Sequence, residues 1–427
     1  MNMTKNTSTL SVIGLGYIGL PTAAMLASRQ VKVIGVDINQ HAVDTINRGA
    51  IHIVEPGLEN IVQSVVKEGW LRATTTPEAA DAFLIAVPTP FKGDYEPDLS
   101  YIQAATEAIA PVLKPGNVVI LESTSPVGTT EQMVQWLSEL RPDLKLPLQG
   151  STDSDIYVAY CPERVLPGQV VRELVENDRI VGGINAISAE KAKEVYRIFV
   201  QGQLLETNAR TAEMSKLTEN AFRDVNIAFA NELSLICDKL QINVWELIQL
   251  ANHHPRVNIL QPGAGVGGHC IAVDPWFIVN KTPEQARLTR IAREVNDGKP
   301  HWVVAQIQAA ISQVEAHGVD PEQVKVALLG LAFKPNIDDL RESPALHIAQ
   351  EISEKVPSKV MYVEPYIDSL PSSLKRGNLV SLEKALAEAH VVAVLVKHDP
   401  FIEAGLGKRE DQHIVDAVGL SANLQNR

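Results

Sequence analysis

The sequence predicts an α/β protein in which two Rossmann-like, doubly wound parallel-sheet domains are joined by a central helical domain. Short apolar runs alternate with helical patterns from residue 1 to 208 and again from 318 to 427. Buried strands that alternate with helices indicate a parallel sheet covered on both faces. Between these regions, residues 211–240 contain no glycine or proline and follow a helical period. The predicted domains therefore cover residues 1–208, 209–317 and 318–427.

The composition is that of a soluble globular protein and argues against several classes of function. The chain has 427 residues, of which 45% are hydrophobic and 21% are charged. Its net charge of −13 argues against a nucleic-acid-binding protein. Three cysteines without a CxxC motif fit a reducing compartment, and no apolar run approaches the roughly 18 residues of a membrane span. We expect a cytoplasmic protein with no nucleic-acid partner and no membrane segment.

The first predicted domain opens with a strand, a glycine turn, a helix and a second strand over residues 10–37. In Gly14-Leu15-Gly16-Tyr17-Ile18-Gly19, the first glycine permits a tight turn, the second lets the backbone approach a pyrophosphate, and the third lets helix and strand pack closely. Asp37 ends the second strand and would accept hydrogen bonds from ribose hydroxyls. No arginine follows it, so the motif favours NAD over NADP. The alternative is a helix that merely needs small residues against its strand.

Later strands of this domain end in residues that could contact a ligand. Strands are predicted in 83–90, 117–126, 156–163, 179–183 and 203–208, with helices near 100–113, 129–140 and 188–200. Ligands of doubly wound sheets sit beyond the carboxyl ends of the strands. Thr89 and Thr124 are therefore candidates for cofactor contacts, and Glu163 and Arg164 for a charged pair in the same cleft. The alternatives are ordinary turn chemistry for the threonines and solvated surface charges for the pair.

The central domain carries a row of polar residues on a long helix. Helical patterns cover 211–251 and about 284–316. Lys216, Asn220 and Arg223 are four and three residues apart, which places them on one helix face. Apolar residues cover much of the same helix, so this row suggests a polar cavity. The alternative is a solvated charged face.

A glycine-rich loop in this domain contains a candidate nucleophile, Cys270. In "HHPRVNILQPGAGVGGHC", Gly263, Gly265, Gly267 and Gly268 would let the backbone approach a ligand, and His269, Cys270 and Asp274 follow. A cysteine is the best side-chain nucleophile toward an aldehyde once its pKa is lowered. Zinc is a poor alternative because no second cysteine lies nearby, and we expect no bound metal. The remaining alternative is a buried structural cysteine, the role that we expect for Cys161 and Cys237.

The third domain repeats the strand and helix alternation. Strands are predicted at 325–333, 359–365, 391–396 and 413–418, and helices at 344–355 and 381–389. Its first turn, "GLAFKPNIDDLRESPA", lies where a glycine motif would be but has no GxGxxG pattern. Such a turn could hold a nucleotide in a different way, with Lys334 and Arg341 supplying positive charge.

Together these motifs resemble one enzyme family closely, the NAD-dependent UDP-sugar dehydrogenases that make UDP-uronic acids. The resemblance covers about residues 10–420 and is carried by the GxGYxG turn, "STSPVGTT", "PERVLPG", "SKLTENAFR", "GVGGHCIAVDP" and "LAFKPNIDDLRESPA". It implies NAD as cofactor, a UDP-sugar as substrate and a homodimer or larger homo-oligomer built around the central helix. "PERVLPG" and "GVGGHC" favour UDP-N-acetyl-D-mannosamine over UDP-glucose or UDP-N-acetylglucosamine. The resemblance also suggests a role in a surface polysaccharide such as enterobacterial common antigen.

By position, the resemblance implies a role for each matching residue. Cys270 matches the catalytic nucleophile, and Lys216 matches a lysine that stabilises a developing oxyanion or transfers a proton. Asn220 and Asp274 match residues that place the substrate and a water, and Glu163 matches a carboxylate of the same cleft. NAD contacts are implied for Tyr17, Ile18, Asp37, Thr89, Thr124 and Arg341. Sugar-nucleotide contacts are implied for Arg164, Val165, Arg223, His254, Arg256 and Lys334, and Gly263 is added for its backbone. Val418 stands where the family commonly has a basic residue.

The implied reaction is the oxidation of the sugar's C6 alcohol to a carboxylate, which removes four electrons and requires two NAD per sugar. A cysteine would explain how one site oxidises the same carbon twice, through a thiohemiacetal and then a thioester. Two other classes of function are considered. A two-electron hydroxy-acid dehydrogenase needs neither the cysteine nor the third domain. An NAD-sensing binding protein explains Asp37 but not Cys270 with Lys216 and Asn220.

Overall fold

The computed structural model describes residues 8–421 except 94, 149, 151, 167, 269, 407, 408 and 410. The chain forms two compact units, one up to Glu219 and one from Asn220 onward. Each unit contains its own sheet with helices, so the predicted α/β class with two Rossmann-like sheets is confirmed.

The first unit is built on an eight-stranded sheet. Its strand order is β10-β9-β8-β7-β4-β1-β2-β3, and the order reverses beside β1, as in a doubly wound fold. Apolar residues fill its central strands because both faces of the sheet are covered. The strands are β1 (Thr9–Ile13), β2 (Lys32–Val36), β3 (Leu71–Thr74), β4 (Ala82–Ile85), β7 (Val118–Leu121), β8 (Tyr157–Tyr160), β9 (Arg179–Gly183) and β10 (Leu204–Asn208), with a separate hairpin β5 (Phe91–Lys92) and β6 (Glu96–Pro97).

Helices connect the strands of this unit. The last of these helices, α8, continues into the second unit. Asn39 caps the second helix by accepting from the backbone N–H groups of His41 and Ala42, and Asn185 caps the seventh in the same way. The helices are α1 (Gly19–Ser28), α2 (Gln40–Asn47), α3 (Leu58–Lys67), α4 (Ser100–Ile109), α5 (Thr129–Leu140), α6 (Val170–Glu176), α7 (Ala186–Tyr196) and α8 (Ala209–Leu240).

The first sheet differs from the expectation of parallel strands at one place. β9 runs antiparallel to β8, and β10 then pairs with β9 in parallel. All other neighbouring strands of this sheet are parallel. An apolar run has the same pattern in either direction, so the sequence could not reveal this reversal.

The second unit combines helices with a five-stranded parallel sheet of order β13-β12-β11-β14-β15. The helical pattern predicted over 211–251 is interrupted, because Gln241 has a positive φ of 56° and Asn243 caps a new helix. The helices of this unit are α9 (Val244–Ala251), α10 (Asp274–Lys281), α11 (Arg287–Ala316), α12 (Pro344–Lys355), α13 (Leu382–Glu388) and α14 (Asp399–Ala404). Its strands are β11 (Lys325–Leu329), β12 (Lys359–Val363), β13 (Asn378–Leu379), β14 (Val391–Val394) and β15 (His413–Asp416).

Within the described residues, none of the helices has the length and apolar character that crossing a bilayer requires.

Candidate active site

The glycine turn of the first unit joins β1 to α1. Gly14 has a φ of 90° and donates its backbone N–H to Val36 O at 2.8 Å. A Cβ at Gly14 would lie 2.5 Å from Ala86 O, and a Cβ at Gly19 would overlap Gly14 O. A Cβ at Gly16 would meet no protein atom within 4 Å. Packing therefore explains Gly14 and Gly19. Close approach of a pyrophosphate to Gly16 stays a prediction.

Asp37 follows β2 and is hydrogen-bonded to the glycine turn. Its Oδ2 accepts from Leu15 N at 2.9 Å, and its Oδ1 accepts from Asn39 N at 2.9 Å. Each carboxylate oxygen has more than one acceptor position, so the partly exposed Asp37 keeps capacity for hydroxyl donors. Tyr17 is exposed in the same turn, and Ile18 precedes the first residue of α1. The chain thus has the glycine turn and the following carboxylate that dinucleotide-binding sheets use, while contacts of these residues with NAD stay a prediction.

The strand ends beside this turn are joined to each other. Thr89 Oγ1 donates to Thr124 O at 2.6 Å, and Val87 N donates to Ser123 Oγ at 2.9 Å. These residues follow β4, which pairs with β1, and β7, which pairs with β4 on the far side from β1. The structure therefore brings Thr89 and Thr124 together at the carboxyl edge of the sheet. A contact with NAD remains a prediction for both.

Glu163 lies in a buried cluster and not in a solvated turn. Its Oε2 accepts from Arg179 Nη2 at 2.5 Å, and its Oε1 accepts from Arg164 N at 2.7 Å. The Arg179 guanidinium also lies 3.8 Å from Glu122 Oε1 and 4.7 Å from the centre of the Tyr196 ring. The alternative of a solvated surface charge is therefore wrong for Glu163. A buried carboxylate with a cationic partner is held in one orientation.

Glu122 and Arg179 are the members of this cluster that sequence reasoning missed. Burial raises the pKa of Glu122 to about 7, and the Tyr196 hydroxyl donates to its Oε1 at 2.7 Å. Both residues adjoin apolar strands, since Glu122 directly follows β7 and Arg179 opens β9. The sequence signal that could have revealed them is a charged residue at the end of an apolar strand. Burial also raises the pKa of Cys161 to about 12, which confirms Cys161 as an unreactive buried side chain.

Arg164, Val165 and Lys216 lie in the same unit but have different surroundings. The Arg164 guanidinium pairs with Glu219 on α8 at 2.8 Å, and Val165 packs against the apolar core of the unit. Lys216 is partly buried on α8 and forms no hydrogen bond or ion pair within the described part of the chain. Its ammonium group is therefore available to a negatively charged atom.

In the second unit, Asn220, Asp274 and Cys270 are linked. Asn220 Nδ2 donates to Asp274 Oδ2 at 2.5 Å, and both residues are buried. Asp274 is the first residue of α10, where a carboxylate is favoured by the helix dipole, and its backbone N–H donates to Cys270 O at 2.9 Å. The Cys270 side chain is exposed, unlike the buried Cys161 and Cys237, so it is not a buried structural cysteine. His269 lies outside the described residues.

The glycine-rich loop before Cys270 packs mainly against protein. A Cβ at any of three glycines would come within 3.0 Å of segment 333–344, with Gly265 against Pro344, Gly267 against Glu342 and Gly268 against Phe333. Close packing against protein therefore explains these three glycines, which were expected to admit a ligand. Gly263 differs, because a Cβ there would meet only Gly265 O at 3.9 Å, and its N–H donates to Asn231 Oδ1 at 2.9 Å.

The remaining charged and histidine candidates of the second unit are exposed on α8 and on loops. Arg223 and Lys334 form no hydrogen bond or ion pair with any residue that the structure describes. Arg256 N donates to His254 Nδ1 at 3.3 Å, so these two are adjacent. Arg341 pairs with Asp339 at 2.6 Å. Val418 is partly buried against apolar residues of this unit.

The second unit repeats the backbone turn of the first. Gly330 has a φ of 91° and donates to Val363 O at 2.8 Å, as Gly14 does to the end of β2. Leu331 N donates to Glu364 Oε2 at 2.7 Å, so the acidic residue after β12 occupies the place of Asp37. Each of the two sheets therefore has the same kind of turn, and each turn is hydrogen-bonded to one carboxylate.

His398 covers the Glu364 carboxylate, which is the partner of the second turn. Glu364 and His398 are both buried, and His398 Nε2 lies 3.1 Å from Glu364 Oε2. Because Asn336 N donates to His398 Nδ1 at 2.9 Å, the proton lies on Nε2 and points to Glu364. Burial alone would raise the pKa of Glu364, but the donors from His398, Leu331 and Ala332 hold it below its usual value. This carboxylate is therefore unsuited to binding a ribose in the manner expected of Asp37.

Three domain models of one family match the chain in order. They are the NAD binding domain at residues 8–200, the central domain at 210–298 and the UDP binding domain at 327–420 of the UDP-glucose/GDP-mannose dehydrogenase family. The chain belongs to the UDP-glucose/GDP-mannose dehydrogenase family. NAD is therefore its cofactor and a UDP-sugar its substrate, which confirms the predicted family, cofactor and substrate class.

Individual relatives of this dehydrogenase family are similar over nearly the whole chain. The UDP-N-acetyl-D-mannosamine dehydrogenase of Salmonella typhi is 62% identical over 415 residues, which are 97% of this chain and 99% of the relative. The NDP-N-acetyl-D-galactosaminuronic acid dehydrogenase of Ralstonia nicotianae is 60% identical and covers 96% of each chain. The structure of UDP-D-ManNAc dehydrogenase from Pyrococcus horikoshii has a TM-score of 0.85, 40% identity and 96% coverage of both chains.

Proposed function

We propose that the protein oxidises the C6 alcohol of UDP-N-acetyl-D-mannosamine to the carboxylate of UDP-N-acetyl-D-mannosaminuronate. The observation that carries the proposal is the exposed thiol of Cys270, which lies on the turn that leads to the buried Asn220–Asp274 pair. The mannosamine substrate is supported by the names of the Salmonella and Pyrococcus relatives. The Ralstonia relative, at nearly the same identity, makes an N-acetylgalactosamine nucleotide the second candidate.

Cys270 explains in this proposal how two oxidations occur at one carbon. The first oxidation removes a proton and a hydride from the C6 alcohol and leaves an aldehyde. The Cys270 thiolate then adds to the aldehyde carbon and forms a thiohemiacetal, whose C–H bond yields the second hydride. The resulting thioester is cleaved by water, which releases the carboxylate and restores the thiol. NAD, when bound, accepts one hydride in each oxidation.

Four other polar residues have complementary proposed roles. Lys216, which has no partner in the described chain, would stabilise negative charge on the substrate oxygen or transfer its proton. Asn220 and Asp274 would place the substrate and the hydrolytic water, since their mutual hydrogen bond fixes both side chains. Glu163, held by Arg179, would contribute an oriented carboxylate to the reaction.

The proposed binding residues are those that the family resemblance implies, and they include the glycine turn of the first unit and several arginine and lysine side chains. For NAD we propose Gly14, Gly16, Tyr17, Ile18, Gly19, Asp37, Thr89, Thr124 and Arg341. For the UDP-sugar we propose Arg164, Val165, Arg223, His254, Arg256, Gly263 and Lys334. We further propose three functional domains at 1–208, 209–317 and 318–427, a cytoplasmic location, and a role in making a surface polysaccharide of the enterobacterial common antigen type.

A homodimer, or a larger homo-oligomer that contains it, is proposed on the apolar surface of α8. Phe222, Phe229 and Ile236 are spaced by seven residues and lie on one face of the helix, with Leu240 four residues further on. Their exposed fractions are 68%, 50%, 44% and 61%. Contiguous apolar stripes of this kind mark interaction surfaces, and a second copy of the same helix is the partner that the family resemblance implies.

The deciding experiment measures NADH formed per sugar nucleotide consumed. UDP-N-acetyl-D-mannosamine, UDP-N-acetyl-D-galactosamine, UDP-N-acetylglucosamine and UDP-glucose are offered separately. We expect about two NADH per sugar with the mannosamine nucleotide and little turnover with the others. One NADH per sugar would contradict the double oxidation. Two NADH with the galactosamine nucleotide alone would retain the chemistry and replace the substrate.

A further inference from the structure

Two histidines and a glutamate meet on the surface of the second unit, on residues that the proposed reaction does not use. His301 lies on α11, whereas His347 and Glu351 lie one turn apart on α12. One ligand atom from each of the three residues lies within 4.8 Å of the other two. Imidazole nitrogens and carboxylate oxygens are the donors that zinc and related divalent metals prefer.

The separations of these atoms suit a tetrahedral metal ion. His301 Nδ1 lies 3.3 Å and His347 Nε2 lies 3.8 Å from Glu351 Oε2. With bonds of about 2.1 Å, neighbouring ligands of a tetrahedral zinc ion are about 3.4 Å apart. The two separations from Glu351 Oε2 are therefore close to those around one tetrahedral ion, and the third pair of ligand atoms lies within 4.8 Å. The two rings meet edge to face at 77°, with centres 5.8 Å apart.

The backbones that carry the ligands are fixed by the apolar core. Val303 and Val304 follow His301 on α11 and are buried, and Ile348 next to His347 is buried as well. Ligands on rigid helices lose little conformational entropy when they bind a metal. The i,i+4 spacing of His347 and Glu351 places both on one face of α12.

A neighbouring lysine orients the glutamate without using its metal-facing oxygen. Lys355 Nζ donates to Glu351 Oε1 at 2.5 Å, while Glu351 Oε2 faces the two histidines. Hydrogen bonds to the second oxygen of a ligating carboxylate are typical of metal sites. Both imidazoles are exposed and line a groove of about 540 Å³, so water can reach the fourth coordination position.

We propose that His301, His347 and Glu351 bind one zinc ion or a similar divalent transition metal, which clamps α11 to α12. The ion would serve a structural purpose, because its ligands are not among the residues that carry the proposed oxidation. The proposal does not depend on which sugar nucleotide is the substrate.

The test uses the full chain without a histidine tag, freed of metal, and in a Cys270→Ala background so that the exposed thiol cannot bind zinc. Zinc chloride is titrated by calorimetry, and cobalt chloride is added in parallel because tetrahedral cobalt absorbs visible light. We expect one ion per chain, a higher unfolding temperature with zinc and a tetrahedral cobalt spectrum.

His301→Ala, His347→Ala and Glu351→Gln should each weaken zinc binding by more than about tenfold, since each removes a direct ligand. His317→Ala, an exposed histidine that follows the last residue of the same helix, is the matched control and should bind zinc normally. Absence of binding, or an affinity that the three ligand variants leave unchanged, would overturn the proposal.

Discussion

At the scale of single residues, two glycines of one turn differ in the space around them. A Cβ at Gly19 would overlap Gly14 O, whereas a Cβ at Gly16 would meet no protein atom. Gly19→Ala should therefore lower the free energy of unfolding by about 1–3 kcal/mol, as overpacking does. Gly16→Ala should change it by less than about 0.5 kcal/mol but weaken NAD binding by at least about tenfold. Thermal unfolding and NAD titration separate the two effects, and unchanged NAD affinity in Gly16→Ala would contradict the proposed pyrophosphate contact.

Cys270 permits an equally specific prediction. Cys270→Ser replaces a thiol by a hydroxyl, which is a much weaker nucleophile toward an aldehyde. We expect uronate formation to fall by at least about a thousandfold while the unfolding temperature stays within about a degree, because the side chain is exposed. Product chromatography and thermal unfolding check both parts. Uronate production at the wild-type rate would remove the thioester step.

Residue types and spacing predicted the positions of the candidate site but not their partners. Cys270 was expected to be reactive, and its exposure agrees with that expectation. The pairing of Glu163 with Arg179 was not predicted, because it joins residues sixteen positions apart through the reversed strand β9. The packing of three glycines against segment 333–344 was also missed, since a glycine that meets protein and one that meets a ligand look identical in sequence.

At the scale of secondary-structure elements, the extents of many helices and strands were predicted well, whereas the direction of one strand and one helix break were not. Helices α5 and α12 begin and end where the sequence patterns do. The direction of β9 and the break after α8 were missed. Direction leaves no trace in an apolar pattern, and the break depends on a positive φ at Gln241, a residue without a strong turn preference.

The end of strand β7 gives a pH-dependent prediction through Glu122. Its pKa is raised by burial from 4.5 to about 7, so the folded protein holds this proton more tightly than the unfolded chain does. Between these two pH values only the unfolded state releases the proton, and stability therefore falls as the pH rises. The loss is on the order of 3 kcal/mol, at about 1.4 kcal/mol for each pKa unit.

Glu122→Gln should abolish this loss, because the amide keeps the acceptor for the Tyr196 hydroxyl but does not ionise. Unfolding temperatures of both proteins are measured from pH 4.5 to 8. We expect similar values at the acid end and a more stable variant above pH 7. Parallel curves over the whole range would show that Glu122 does not titrate in this way.

At the scale of the whole molecule, the exposed face of α8 predicts self-association. Phe222→Glu with Phe229→Glu places two charges in the proposed interface, where they would be buried without a partner. We expect the wild type to be a dimer or larger and the double variant to be a monomer in light scattering coupled to gel filtration. Leu140→Glu, an exposed leucine at the end of α5, is the control and should not dissociate the protein. A monomeric wild type, or a double variant that stays associated, would contradict the interface.

The repeated α/β architecture was predicted from the sequence, but the repeated turn was only partly visible there. The second turn keeps a glycine at Gly330 and has Ala332 and Pro335 where the first has Gly16 and Gly19. Its backbone hydrogen bonds are nevertheless the same, because they require only one glycine and a carboxylate after the next strand. A search for the glycine pattern therefore finds the first turn and passes over the second.

The closed second turn has a consequence for how the protein has diverged. Glu364 and His398 are hydrogen-bonded to each other in the protein interior. A mutation that removes one of them therefore also removes the selection that retains the other. In an alignment of relatives, these two positions should change together. For Asp37 the proposed constraint is contact with NAD, and its acidic character should therefore persist whatever its neighbours become. The same hydrogen-bonded turn would then have evolved under two independent constraints within one gene.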